Sequence, residues 1–375
     1  MKQLRLIFAG GGTGGHLFPA LAIANHLKKR IEPENRAEFR FIGTRRGIEF
    51  RLKDSLGYSL TLISVRGLYR KGVLRNLLFP LLLIGATIKS MFICWRFKPD
   101  AVIGTGGYVM GPVMMGAVFM RKGCFIQEQN SYPGLTTRQL AHRVDCVFLG
   151  FGEARKHLDG RAVTIETGNP VKDIIGKIDR NEARRHFGFN DNDHVILILG
   201  GSQGATSVNQ NILDHLHELP NDFKLIWQTG ERDYKEIAAA AGGRVGSRAL
   251  FAFTDQIEQA YAAADLAIAR SGALTLAELE AAGLPAVLIP YPHATADHQR
   301  KNAETFESKG AAVVIFDHEL PEVSLIKGAV EIIRDGSWRK MKEAIDRIRT
   351  SRKKPAVEAI ADEILSMIGW EGSRT

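Results

Sequence analysis

The chain has 375 residues, 45% of them hydrophobic and 24% charged, and 50 Lys and Arg against 41 Asp and Glu leave a net charge of +9. This composition argues against a disordered chain, and the length exceeds one ordinary domain, so two domains are expected. Cys94, Cys124 and Cys146, odd in number and without CxxC spacing, argue against a disulfide framework or a zinc site and fit a reducing compartment. The basic balance calls for an anionic partner, which on charge alone leaves nucleic acid, lipid and diphosphate open.

Residues 4–9 (LRLIFA) read as a strand, entered without a signal-peptide pattern, and Gly10-Gly-Gly-Thr-Gly-Gly-His16 leads into a helix over 19–29. Gly10, Gly12 and Gly15 satisfy GxGxxG, the dinucleotide fingerprint. The second strand, 38–42, ends in Gly43-Thr-Arg-Arg46 with no carboxylate for an NAD ribose. Arg45 and Arg46 leave an NADP reductase as an alternative. Residues 59–65 form the next strand, and 73–97 are largely helical despite Pro80. A strand over 100–104 runs into a second glycine-rich turn, Thr105-Gly-Gly-Tyr-Val-Met-Gly-Pro112. The strand 123–127 carries Glu128-Gln-Asn130 at its end.

The uncharged run 77–88 is broken by Pro80 and Gly85 and ended by Lys89. It falls short of the ~20 apolar residues a spanning helix needs, so no membrane span is expected. Arg66, Arg70, Lys71 and Arg75 precede Leu77, Leu78, Phe79, Leu81 and Leu82, while Lys89, Trp95, Arg96 and Lys98 follow. Cations around an apolar helix suit an interfacial helix on anionic lipid; a core helix with solvated charged ends is the other reading.

Asn169-Pro170 is a natural linker, and beyond it the plan restarts. A strand at 194–199, the loop Gly200-Gly-Ser-Gln-Gly-Ala205 and a helix over 207–217 repeat the opening unit, as the pairing of FAGGGTGGH with LILGGSQGA makes plain. Each domain therefore carries a loop suited to phosphate. Further strands fall at 223–228, 249–253, 265–269, 286–289 and 311–315, and from 321 the chain is mostly helical. Alternating strands and helices with short loops imply doubly wound parallel sheets, whose ligands sit beyond the carboxyl ends of the strands.

The most informative stretch is Arg270-Ser-Gly-Ala-Leu-Thr-Leu-Ala-Glu278, running on to Gly283-Leu-Pro285 and Gln299. Ser271 is positioned to cap a helix that Gly283 closes. Backbone N–H groups at that helix start suit an anion, and Glu278 one turn further suits ribose hydroxyls. The competing reading makes Thr275-x-x-Glu278 a capping box. Asp191-Asn-Asp193 has the spelling of a metal-binding Asp-x-Asp but lies at the wrong sheet edge, and His293, Asp297 and His298 lack HExxH spacing. No metal and no cofactor are expected.

Together these motifs resemble the nucleotide-sugar glycosyltransferases with two Rossmann-like domains facing across a cleft (GT-B fold), and most closely the MurG-type N-acetylglucosaminyltransferases of peptidoglycan synthesis. The resemblance implies domains over 1–168 and 169–352, with a last helix at about 355–370 packing back on the first. It implies an inverting transfer of N-acetylglucosamine from UDP to the 4-hydroxyl of a lipid-linked muramoyl-pentapeptide diphosphate. The enzyme would be peripheral on the cytoplasmic face of the bacterial inner membrane, with no nucleic acid partner. By the same resemblance His16 or Glu128 is the general base. Thr13, Gly14, Gly15, Asn130, Lys172, Ser202, Thr254, the segment Ala273, Leu274, Thr275, Leu276, Ala277 and Glu278, and Gln299 contact the donor. Lys172 departs from the Arg common after Asn-Pro-Val in related sequences and lacks its bidentate fork. A UDP-N-acetylglucosamine 2-epimerase and a non-catalytic UDP-sugar-binding membrane adaptor are the rival readings.

Overall fold

The computed structural model describes residues 2–32, 34–67, 78–200, 204–246, 248–254, 256–294 and 297–370. The chain divides into two compact units, Met1–Val171 with Lys354–Thr375, and Lys172–Lys353.

Unit 1 opens with β1 (Gln3–Gly10), α1 (Gly14–Ile31), β2 (Arg36–Gly43), the short α2 (Ile48–Arg51) and β3 (Ser59–Leu62). It continues with α3 (Phe79–Phe97), β4 (Ala101–Gly106), α4 (Gly107–Phe119), β5 (Gly123–Glu128), α5 (Leu135–Leu140), β6 (Cys146–Leu149) and β7 (Thr164–Glu166). The strands form one parallel sheet in the order β3-β2-β1-β4-β5-β6-β7.

Unit 2 begins with α6 (Arg180–Phe187), β8 (His194–Leu199), α7 (Thr206–Asp214), β9 (Phe223–Gln228), α8 (Tyr234–Val245), β10 (Leu250–Phe251) and α9 (Ile257–Ala263). Then come β11 (Leu266–Ala269), α10 (Ala273–Ala282), β12 (Ala286–Leu288), α11 (His298–Ser308), β13 (Ala312–Val314), α12 (Leu325–Arg334) and α13 (Ser337–Ser351). This sheet is also parallel, in the order β10-β9-β8-β11-β12-β13. The last helix, α14 (Ala356–Met367), belongs to unit 1 and packs on α1.

The central strands are apolar on both faces because helices cover both, the burial pattern of a parallel doubly wound sheet. Val195 to Ile198 and Leu266 to Ala269 are fully buried. At the amino edge of β11, Asp265 accepts bonds from the Val195 N–H and Arg184 and pairs with Arg180. Arg184 also bonds the Asp191 carbonyl, and Asp193 accepts the Asn190 N–H, so the Asp-x-Asp is a turn at that edge. The three cysteines are buried, and burial pushes the Cys94 thiol up to about 11 and the other two to about 12.

Several expected boundaries move. α1 starts at Gly14 and carries Pro19 inside its second turn, where the ring removes the N–H that would otherwise bond the Gly15 carbonyl. β3 stops at Leu62, and β6 and β7, runs of four and three residues, are too short to show a period in the sequence. α3 begins with Pro80 in its first turn and runs 19 residues, long and apolar enough to cross a membrane. The interruptions at Pro80 and Gly85 therefore did not shorten it. One face, with Ala86, Ser90, Ile93, Cys94 and Phe97, is buried and the helix packs on α4. The other exposes Leu78, Leu81, Ile84, Ile88, Phe92 and Trp95. Arg70, Lys71, Arg75 and Leu77 lie outside the described residues; Phe79 opens the helix, and Leu82 is exposed.

Ile360, Ala361, Ile364 and Leu365 of α14 enter the same apolar cluster as Leu17, Ala20 and Ala24 of α1. Ile364→Ala should lower unfolding free energy by about 2–5 kcal/mol, the usual cost of truncating a buried aliphatic. Urea melts monitored in unit 1 check this; an unchanged midpoint would mean that α14 only rests on the surface.

Candidate active site

In unit 1 the glycine turns after β1 and β4 lie at the same carboxyl sheet edge and touch. Gly106 and Gly107 hold φ of 111° and 77°. A Cβ on Gly106 would fall 2.4 Å from His16 Nδ1, and one on Gly107 2.2 Å from the Gly11 carbonyl oxygen. Thr13, the N-cap of α1, accepts the N–H groups of His16 and Leu17, and Gly14 and Gly15 are the first helical residues. The His16 carbonyl accepts the Thr105 hydroxyl at 2.7 Å.

Gln129 determines the chemistry of the His16 ring. Its Nε2 donates to the Thr105 carbonyl at 2.7 Å and the Gln127 carbonyl at 3.0 Å. The amide is thereby oriented, and Oε1 faces His16 Nδ1 at 3.1 Å. An amide oxygen only accepts, so Nδ1 carries the proton and Nε2 the lone pair. His16 thus has the tautomer of a base acting through Nε2.

Glu128, the other expected base, is differently placed. It is buried, and Oε1 accepts the N–H and side-chain amide of Asn130 at 3.1 and 3.3 Å. Oε2 accepts the Gly134 N–H at 3.0 Å and the Thr137 hydroxyl at 2.7 Å. Four donors on one carboxylate make it a clamp on the loop leading into α5.

In unit 2 the N-cap of α10 is Gly272, not Ser271. The Ser271 hydroxyl instead donates to the Gln299 carbonyl at 2.8 Å, joining α10 to α11. Thr275 lies inside the first turn, so no capping box forms with Glu278. Ala273 and Leu276 are buried, while Leu274, Thr275, Ala277 and Glu278 are half-buried. The Gln299 side-chain oxygen accepts the Tyr291 N–H at 3.0 Å, and the Thr254 hydroxyl accepts the Gln256 N–H at 3.1 Å. Ser202 lies outside the described residues.

Two features here were not legible in the sequence. Arg270 bonds the Ser207 hydroxyl at 2.8 Å and the carbonyls of Ile289 and Pro290, and it pairs with Asp317. The Tyr261 hydroxyl donates to Glu278 Oε2 at 2.8 Å. Burial pushes the Glu278 carboxyl up to about 7, against the Tyr261 hydroxyl bond and the Lys172 charge, which lower it. Lys172 itself pairs with Glu258 at 3.2 Å.

Because the folded-state pKa of Glu278 lies above its ordinary value of 4.5, the free protein should lose stability as pH rises from there towards 7. Tyr261→Phe removes a bond to the charged form, so the titration midpoint should move higher still. Carbon NMR of the labelled carboxyl reads both; a midpoint near the ordinary carboxylate value in the parent would refute the assignment.

The residues span two known domain families. Residues 6–149 match the glycosyltransferase family 28 N-terminal domain, and 195–360 match the glycosyltransferase family 28 C-terminal domain. A UDP-N-acetylglucosamine–N-acetylmuramyl-(pentapeptide) pyrophosphoryl-undecaprenol N-acetylglucosamine transferase of Moorella thermoacetica is 40% identical, over 97% of this chain and 99% of the relative. The crystal structure of Acinetobacter baumannii MurG superposes with a TM-score of 0.72 at 29% identity, over 98% of this chain and all of the other. A UDP-N-acetylglucosamine 2-epimerase reaches a TM-score of 0.62 over all of this chain and 99% of its own, but at 14% identity it shares the fold alone. With both family 28 domains present and such similarity over nearly its full length, the chain is a glycosyltransferase that belongs to the MurG-type N-acetylglucosaminyltransferases.

Proposed function

We propose that the chain transfers N-acetylglucosamine from UDP to the 4-hydroxyl of an undecaprenyl-diphospho-N-acetylmuramoyl-pentapeptide. The substrates are those in the names of its full-length relatives. The observation that carries the mechanism is the His16–Gln129 hydrogen bond, which puts the ring proton on Nδ1 and so the lone pair on Nε2. The acceptor oxygen attacks the anomeric carbon as its proton passes to His16 Nε2. The bond from that carbon to the diphosphate oxygen breaks, UDP leaves with the electron pair, and the α donor becomes a β product. Glu278 takes ribose hydroxyls, with Tyr261 fixing one carboxylate oxygen. Thr13, Gly14, Gly15, Asn130, Lys172, Ser202, Thr254, Ala273, Leu274, Thr275, Leu276, Ala277 and Gln299 remain the proposed donor contacts. Backbone N–H groups at the start of α10 and nearby cations stabilise the leaving diphosphate. Glu128 is the weaker candidate base, since four donors already occupy its lone pairs.

Incubation with UDP-N-acetylglucosamine and a lipid-linked muramoyl acceptor should release UDP only when both are present. Release without acceptor would favour the epimerase reading. His16→Ala should lower kcat by about 10²–10⁴-fold with UDP affinity kept, and Gln129→Leu should lower kcat in the same direction. Undiminished turnover in His16→Ala would remove it as the base.

On this reading the enzyme works peripherally on the cytoplasmic membrane face, where its acceptor is anchored. What supports this is α3, whose exposed stripe includes Leu81 at 66%, Ile88 at 60% and Trp95 at 62% accessibility, with Lys89, Arg96 and Lys98 exposed beside it. Such a face suits the headgroup boundary of anionic lipid. Changing Ile88, Phe92 and Trp95 together to Ser should weaken vesicle binding about 100-fold or more while a water-soluble acceptor analogue still reacts. Binding equal to the parent would show that this face does not meet lipid.

A further inference from the structure

The two glycine loops are spelled alike, yet the first already holds an anion. Glu49 is 1% exposed, and its Oε2 accepts the Gly12 N–H at 2.8 Å. Oε1 accepts the Thr44 N–H at 2.9 Å and the Thr44 hydroxyl at 3.4 Å. That hydroxyl lies 3.0 Å from the Tyr108 hydroxyl, which ties the group to the second glycine turn. Three glycines make room for it. A Cβ on Gly11 would sit 2.6 Å from the carboxylate carbon, one on Gly43 2.3 Å from Glu49 Cγ, and one on Gly47 2.1 Å from both oxygens. Backbone N–H groups and glycines at close approach are the means by which such loops hold phosphate. Here a side chain from α2 takes that place. A phosphate entering would have to expel a carboxylate of the same sign and leave it buried without its donors. In unit 2, by contrast, Asp233 beside Gly204 is engaged by the side chains of Thr206, Asn209 and Arg232.

We propose that Glu49 is a built-in anion that fills the phosphate position at the Gly12 N–H and thereby keeps diphosphate off that part of the first glycine loop, leaving Thr13, Gly14 and Gly15 to meet other parts of the donor. It is a specificity-determining residue: without it, the Gly12 N–H would be a second place for a diphosphate to bind. The closed loop stands on its own geometry; only the identity of the excluded nucleotide rests on the proposed function.

The test compares the parent with Glu49→Ala, using inorganic pyrophosphate, formate and UDP as probes. In the parent the Gly12 amide resonance should stay unmoved at saturating pyrophosphate, and UDP should bind at one site per chain. In Glu49→Ala the melting temperature should drop and then recover saturably with formate or pyrophosphate. The Gly12 amide should shift with an apparent Kd at least tenfold tighter than any in the parent. A shift of Gly12 in the parent, or a folded Glu49→Ala that neither recovers with anions nor shows the shift, would overturn the proposal. If Glu49→Ala does not fold, Glu49→Gln, which keeps the shape and loses the charge, is titrated in the same way, and the parent measurement decides independently. A parent that binds no UDP at all would count against the proposed function, while the pyrophosphate arm would still judge Glu49.

Discussion

The working edge of unit 1 depends on one steric condition, the contact between the glycine turns after β1 and β4. Gly106 must lack a side chain for the His16 ring to lie against it, and Gly107 must lack one for the Gly11 carbonyl to approach. Both also adopt positive φ, which other residues reach only at a cost. A methyl at either position would push α1 away from β4. His16 would then leave Gln129, and with that bond goes the constraint on which ring nitrogen carries the proton. The tautomer of His16 therefore depends on how closely the two glycine turns pack, with the ring lying directly against Gly106.

Much of this was legible in the sequence, because parallel sheets leave a strong trace. Apolar runs such as HVILIL and DLAIA, punctuated by glycine loops, gave the strand–helix alternation and the carboxyl edge. What the sequence did not yield is what each loop holds. GxGxxG reads as a phosphate cradle, but its occupant comes from Glu49, 37 residues beyond Gly12, and no local periodicity links the two. Gln129, between Glu128 and Asn130, is an uncharged amide, which carries no signature of a role in the sequence. Its importance comes from pointing at His16 across 113 positions of chain.

The helix α10 shows a different limit. Ser271 looked like the cap and Thr275 the start of a capping box, both reasonable from residue type. The helix begins at Ala273, which places Ser271 one residue too early and Thr275 too late. Ser271 is then available to tie α10 to α11, and Glu278 turns inward to meet Tyr261. A one-residue offset thus frees both side chains from capping for contacts with other elements, and residue spacing alone does not fix that offset.

Three carboxylates in this chain show how surroundings decide the fate of one functional group. Glu49 is enclosed by the first glycine loop and is bonded to backbone and hydroxyl donors. Glu128 is bonded four times over and clamps a loop. Glu278 accepts one hydroxyl, that of Tyr261, among the described residues, and burial raises its pKa to about 7. Desolvation disfavours the charged form, and few donors offset it, so this carboxylate gains most from further hydrogen bonds. A ribose with two adjacent hydroxyls would supply them. On the proposed reading, such binding relieves a desolvation cost that burial of Glu278 leaves in place.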